Sequence, residues 1–117
     1  MKKLLLIAVI AVISSCSSKK MTMTGDDIPD CIQKMITRFQ EEDKQNPPRR
    51  VYRYTYNGNF VYYVPPICCD QFSDLYSSKC ELLGHPDGGY TGKGDGKVPD
   101  FQDKRSEEKL VWKDERK

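Results

Sequence analysis

The stretch His85 to Phe101, HPDGGYTGKGDGKVPDF, holds five glycines, three aspartates and two lysines with almost nothing apolar between them. Such residues can do three kinds of chemistry: glycine-rich turns cradle phosphates, carboxylates and carbonyls bind calcium, and exposed charges meet a partner. A Walker loop needs GxxxxGK followed by Ser or Thr. Here Gly92-Lys93 is followed by Gly94 and the first glycine position is Asp87, so the phosphate reading fails twice. Asp87, Asp95 and Asp100 could supply calcium with oxygens, yet their spacing is not that of an EF-hand, and Lys93 and Lys97 bring opposing charge. Lys93–Asp95 is similar to an adhesion tripeptide, but three residues occur too easily by chance. His85, the only histidine, has no nucleophile elbow beside it and no evident orienting group, so no catalytic residue is assigned and no enzyme activity is expected. The expectation is a candidate binding loop carrying Asp87, Lys93, Asp95 and Asp100, with no metal and no cofactor. The competing reading is a compact surface turn in which glycines accept positive φ.

The second set of chemistry-bearing residues is the five cysteines. Cys16 follows a charged n-region, MKK, and the apolar run LLLIAVIAVIS, which is too short to span a bilayer. The preceding ISS resembles the lipobox of bacterial lipoproteins. That resemblance implies a signal peptide over 1–15, cleavage before Cys16, and acylation of Cys16 as the contact with the lipid bilayer. At about 0.8 kcal/mol per buried CH₂, several acyl chains anchor stably. Residues 16–27 then form a lipidated tether, and 28–117 a single small globular domain. Cys31, Cys68, Cys69 and Cys80 remain, an even number suited to disulfides in an oxidising compartment. A bridge between Cys68 and Cys69 would close a strained ring between neighbours. Two longer bridges are expected instead, one from Cys31 to the adjacent pair and one from that pair to Cys80, each contributing about 2 to 4 kcal/mol. Zinc-site spacing is absent.

Charge narrows the function further. The chain carries 19 basic and 17 acidic side chains, and the signal segment contains two of the lysines and no acid. The mature chain is therefore balanced, and no global basic field remains to attract nucleic acid.

Elements must now position these groups. DDIPDCIQKMITRFQEED reads as an amphipathic helix, with Pro29 in its first turn, acids at its positive end, and Ile28, Ile32, Met35, Ile36 and Phe39 on one stripe. NPPRR ends it. VYRYTYNGNFVYYV reads as a β-hairpin about Asn57-Gly58, with Tyr52 opposite Tyr63, Tyr54 opposite Val61 and Tyr56 opposite Asn59 on one face. Val51 with Val64, Arg53 with Tyr62 and Thr55 with Phe60 make the other face. Either face can meet the helix, and a tyrosine-lined surface can also stack on sugars or protein. Asp70 is read as the N-cap of a short helix that aligns Phe72, Leu75 and Tyr76. KLVWKDER adds an edge strand with Trp112 on the core. The fold class is α+β: a small disulfide-stapled domain, its N-terminal amphipathic helix packed on a short antiparallel sheet, with a long glycine-rich loop.

The segments YVPPICCDQFSDLYSSKCELLGHPDGGYTGKGDGKVPDF and LVWKDER resemble an uncharacterised domain family of small Bacteroidota lipoproteins, over Pro29 to Arg116. The resemblance implies an extracytoplasmic lipoprotein domain. It also implies one bridge fewer here, since relatives carry cysteines where this chain has Gly84 and Val98, and hence a freer loop. Acidic residues that follow the lipidated cysteine in surface-exported relatives are absent from SSKK, so the expected location is the periplasmic face of the outer membrane. The expected function is a protein-binding module of the cell envelope, its partner an envelope protein, with an envelope enzyme inhibitor or a structural calcium-dependent module as alternatives.

Overall fold

A computed structural model of the chain describes residues 27–117. The expected signal segment, Cys16 and all of the tether except Asp27 lie outside the described residues. Among those described, no helix is long and apolar enough to cross a membrane.

Helix α1 (Asp30–Glu41) begins where Pro29 fixes the backbone, and the Pro29 carbonyl accepts hydrogen bonds from the amides of Ile32 and Gln33 at 2.9 and 3.0 Å. Its stripe, Ile32, Met35 and Phe39, is buried as the periodicity requires, and Cys31 and Ile36 pack at its flanks. The helix end is closed from far along the chain. Arg116 donates to the carbonyls of Phe39, Gln40 and Glu42, and its guanidinium is held by Asp114, itself 5 % exposed. A cation satisfying the last helical carbonyls is the usual remedy for the unpaired, negative end of a helix.

Strands β1 (Arg50–Tyr56) and β2 (Asn59–Val64) form the hairpin in the expected register, Tyr52 with Tyr63, Tyr54 with Val61 and Tyr56 with Asn59. Asn57 and Gly58 both take positive φ, +50° and +78°, the turn geometry that the right-handed twist of paired strands selects. The hairpin is the centre of a larger sheet. β3 (Asp74–Ser77), β4 (Leu82–Gly84) and β5 (Ser106–Lys113) complete five antiparallel strands in the order β4-β3-β2-β1-β5. β5 is the expected edge strand, and its Trp112 ring lies 6.3 Å from that of Phe39.

The short helix expected after Asp70 is absent. Phe72 is instead bridged to Gly88, and Asp74–Ser77 pairs with Val61–Val64 as β3. The backbone of β2 would otherwise be an unpaired row of donors and acceptors, and pairing it outweighs a helical preference spread over so few residues. Leu75 and Tyr76 consequently join opposite faces of the sheet, Leu75 beside Phe101 and Tyr76 against the α1 cluster.

The disulfide expectation is also corrected. Cys31 and Cys80 lie at bonding distance, and so do Cys68 and Cys69. The reason is the direction of α1. Its first turn sits above the hairpin-turn end of the sheet, where Cys31 Sγ lies 3.7 Å from the Ser78 carbonyl and Ser78 bonds to Phe60. Its last turn lies over the opposite end, against Arg49, and Cys68 and Cys69 follow Val64 at that end. Twelve helical residues span about 18 Å, too far for Cys31 to reach the adjacent pair.

Both faces of the sheet are covered. α1 packs on Val51, Tyr62 and Val64, whereas Val98 and Phe101 pack on Tyr54, Tyr56, Val61 and Leu75. The glycine-rich segment is therefore a second layer, ending in the one-turn helix α2 (Phe101–Lys104). Position 84 adjoins position 98, since a β-carbon added to Gly84 would lie 3.1 Å from Val98 Cγ2. In place of a bridge there, Val98 is buried at 9 % exposure, and the loop is held by that packing and by hydrogen bonds.

Candidate functional site

The loop is assembled from its base upward. Ser73, fully buried, donates through Oγ to the Asp87 carbonyl and accepts from the Asp87 amide, both at 3.1 Å. The Asp87 carboxylate receives the Tyr63 hydroxyl at 2.8 Å and Gln102 Nε2 at 2.7 Å. Further along, the Gly94 amide donates to the Gly88 carbonyl and the Asp95 amide to the His85 carbonyl. A β-carbon on Gly94 would fall 1.9 Å from the His85 carbonyl oxygen, so this crossing of two backbone strands requires glycine. Asp100 accepts from the Tyr56 hydroxyl and, at 3.0 Å, from Lys104 Nζ.

These contacts separate the four candidate residues. Asp87 and Asp100 face inward and fasten the segment to the tyrosine face of the hairpin. Asp95 turns back on its own loop, accepting the Lys97 amide at 3.0 Å. Lys93 is the one exposed residue of the four, although the Asp100 side chain also keeps 39 % of its surface in solvent while bonded. Calcium would need the three carboxylates directed at one centre, whereas each is engaged by a different partner. Among the described residues no group of three His, Cys, Asp or Glu side chains is placed to hold a metal ion.

The tyrosine face is likewise not a surface. Tyr54 and Tyr56 are at most 9 % exposed and lie with Tyr63 around Phe101, ring centroids 5.5, 5.5 and 5.9 Å away. Arg105 covers Tyr54 at 4.8 Å and hydrogen-bonds its hydroxyl, which in turn donates to Glu108. A groove of about 380 Å³ opens at the turn end of the sheet among Tyr56, Val61, Leu83, Lys79 and Glu81, and none of the candidate loop residues lines it.

What remains outward is the tip. Tyr90 is 93 % exposed, and Thr91, Gly92 and Lys93 beside it are exposed as well. Below the tip, Phe72 is 45 % exposed and stacks on the His85 ring at 5.0 Å. His85 Nδ1 lies 2.7 Å from the Ser73 carbonyl and 2.9 Å from Asp74 Oδ1. Both neighbours accept hydrogen bonds, so Nδ1 carries a proton and, in the neutral ring, Nε2 is the acceptor. Asp74 is thus the orienting group for His85 that the sequence did not reveal. Tyr90 could have been singled out from the sequence, since it is the one aromatic inside the glycine run and no neighbouring apolar residue offers it cover.

Protonation follows this wiring. The Tyr56 hydroxyl and then Lys104 hold Asp100 below the usual carboxylate range, the Lys97 amide does the same for Asp95, and Arg116 for Asp114. Burial, and then the hydrogen bond to Glu108, pushes Tyr54 up to about 12, and burial followed by Asp87 raises Tyr63. A carboxylate with a lowered folded pKa stabilises the fold above its unfolded pKa of about 4, and that stability is lost as pH falls through the folded value. A tyrosine with a raised pKa stabilises the fold below about 10, and that stability is lost as pH rises toward the folded value. Thermal melts against pH are therefore expected to show a plateau at neutral pH, with losses below about 4 and above about 10. In an ultraviolet titration, Tyr54 and Tyr63 are expected to ionise late and together with unfolding.

A family model described as a domain of unknown function (DUF6970) matches residues 37–114. No curated protein and no solved structure matches the chain significantly. The match runs from the second half of α1 through all five strands and the whole loop, ending on the Asp114 that holds the helix clamp, and the chain belongs to the DUF6970 family.

Proposed function

We propose that the protein is a lipid-anchored interaction module of the bacterial cell envelope, held by acylated Cys16 at the periplasmic face of the outer membrane, and that it binds an envelope protein through the tip of the glycine-rich loop. The observation that carries this reading is Tyr90, an aromatic side chain 93 % exposed on a backbone fastened on both sides by hydrogen bonds, Gly89 to Gln71 before it and Gly92 to Gly89 and Gly94 to Gly88 after it. Exposed tyrosines on preorganised backbone are good docking anchors, because little freedom is left to lose when they are covered. Lys93 beside it supplies a charge for orientation. The surviving part of the earlier candidate set is thus Lys93, with Tyr90 added, while Asp87, Asp95 and Asp100 shape the loop.

Two arms test the proposal. Metabolic labelling with palmitate is expected to mark the wild-type chain and to be lost in Cys16→Ser. In affinity capture from envelope extract, a protein retained by the full chain is expected to be lost with the double variant Tyr90→Ala, Lys93→Ala. Equal retention by wild type and variant would remove the loop tip from the binding surface, and labelling of Cys16→Ser would remove the anchor.

A further inference from the structure

The two disulfides differ in kind. Cys31–Cys80 joins residues 49 apart and both partners are half-buried against the α1 core. Cys68–Cys69 joins sequence neighbours, and both residues are exposed. Bridging adjacent residues removes almost no freedom from the unfolded chain, so this pair does not act as a staple. Exposed sulfurs are, however, open to attack by a thiolate.

The pair also occupies a particular place. The Gln71 amide donates to the Cys68 carbonyl at 3.1 Å, and the Gln71 carbonyl accepts the amide of Gly89 at 3.0 Å. Phe72, next in the chain, is bridged to Gly88, and its ring lies directly against Gly89. Cys68–Cys69 is therefore two hydrogen bonds from the residue that precedes Tyr90. Cys69 moreover sits at φ +61°, a left-handed conformation that residues with side chains seldom take unless something holds them there.

We propose that Cys68–Cys69 is a thiol–disulfide exchange site, with a dithiol reductant as its reaction partner, and that its oxidation state sets how the loop tip is presented. A thiolate of the reductant attacks one sulfur of the pair, the bond between Cys68 and Cys69 breaks, and a mixed disulfide forms. The reductant's second thiol resolves it, leaving two thiols on this chain and a disulfide in the reductant, so two electrons and two protons have been transferred. Once the ring is open, Cys69 is no longer confined to positive φ, the Cys68–Gln71 turn loosens, and Gly89 loses a fixed acceptor. The tip then opens locally while the sheet, α1 and the Cys31–Cys80 bridge stay in place. The regulatory consequence rests on the loop-tip reading above; the exchange chemistry and the coupling to the loop do not.

The test uses the full chain and needs no binding partner, so its failure is distinct from a failure of capture. The protein is titrated with dithiothreitol, alkylated and mapped by mass spectrometry, and parallel samples are digested briefly with trypsin. Alkylation is expected at Cys68 and Cys69 at dithiol concentrations that leave Cys31–Cys80 closed. Over the same range, cleavage after Lys93 is expected to quicken several-fold while cleavage after Arg38 in α1 stays slow. The double variant Cys68→Ser, Cys69→Ser is expected to show the fast Lys93 cleavage without reductant. Opening of both bridges together, an unchanged rate at Lys93, or an acceleration that extends to Arg38 would each overturn the proposal.

Discussion

Replacing Cys31 and Cys80 together by serine is expected to cost about 4 kcal/mol, the chain-entropy value for a bridge between residues 49 apart. Native domains hold only about 5–15 kcal/mol in all, so the loss is a large share of the total. The loop closed by this bridge contains α1, β1, β2 and β3, and it ties the start of the helix to the turn between β3 and β4. The start of α1 would otherwise meet the sheet only through packing. The measurement is urea unfolding of wild type and variant at neutral pH, read from the midpoint. The same replacement at Cys68 and Cys69 is expected to leave the midpoint almost unchanged, because that ring spans no intervening chain. Equal losses from the two double variants would show that loop closure is not how the longer bridge stabilises the fold.

The second large effect is expected at Phe101. Its ring is fully buried under the sheet and touches three tyrosines edge-on or stacked. Phe101→Ala removes the apolar mass that seats the second layer, and such truncations cost about 3–5 kcal/mol. The aromatic contacts add to the cost of lost area. The cavity would also admit water to the Tyr63–Asp87 and Tyr56–Asp100 hydrogen bonds that fasten the loop. Loss of the near-ultraviolet tyrosine signal together with early urea unfolding is the expected result. Phe101→Leu, which keeps most of the volume, is expected to recover much of the stability. If alanine were tolerated with little change, the glycine-rich segment would not be a packed layer.

Several features were legible because they depend on neighbours in the chain. The Asn57-Gly58 turn determines its own geometry, and a two-residue turn leaves a single register for the strands on either side, so every tyrosine pair followed from it. The stripe of α1 was likewise a local periodicity, and β5 runs through the KLVWK expected as an edge strand, starting earlier at Ser106. The segment Asp70–Ser77 misled because Phe72, Leu75 and Tyr76 fit helical spacing, and nothing within it announces that β2 lacks a partner on that side.

The site was legible only in outline. Glycine content and charge marked the loop as special, but the roles of its charged residues depend on what stands across from them. Asp87 meets Tyr63 and Gln102, Asp100 meets Tyr56 and Lys104, and Asp74 meets His85. Of these pairings, only Asp100 with Lys104 lies within one helical turn in the sequence. The sequence by itself therefore determined the helix, the hairpin with its register, the last strand and the membership of the loop. The tertiary structure alone decided which cysteines meet, which side of the hairpin the helix covers, and that the glycine-rich segment is a layer whose Asp87 and Asp100 bond to the tyrosine face and whose Tyr90 turns out. The physical reason is that local propensity acts through backbone geometry within a few residues, whereas pairing of thiols, burial of tyrosines and satisfaction of carboxylates are settled by packing between segments far apart in the chain.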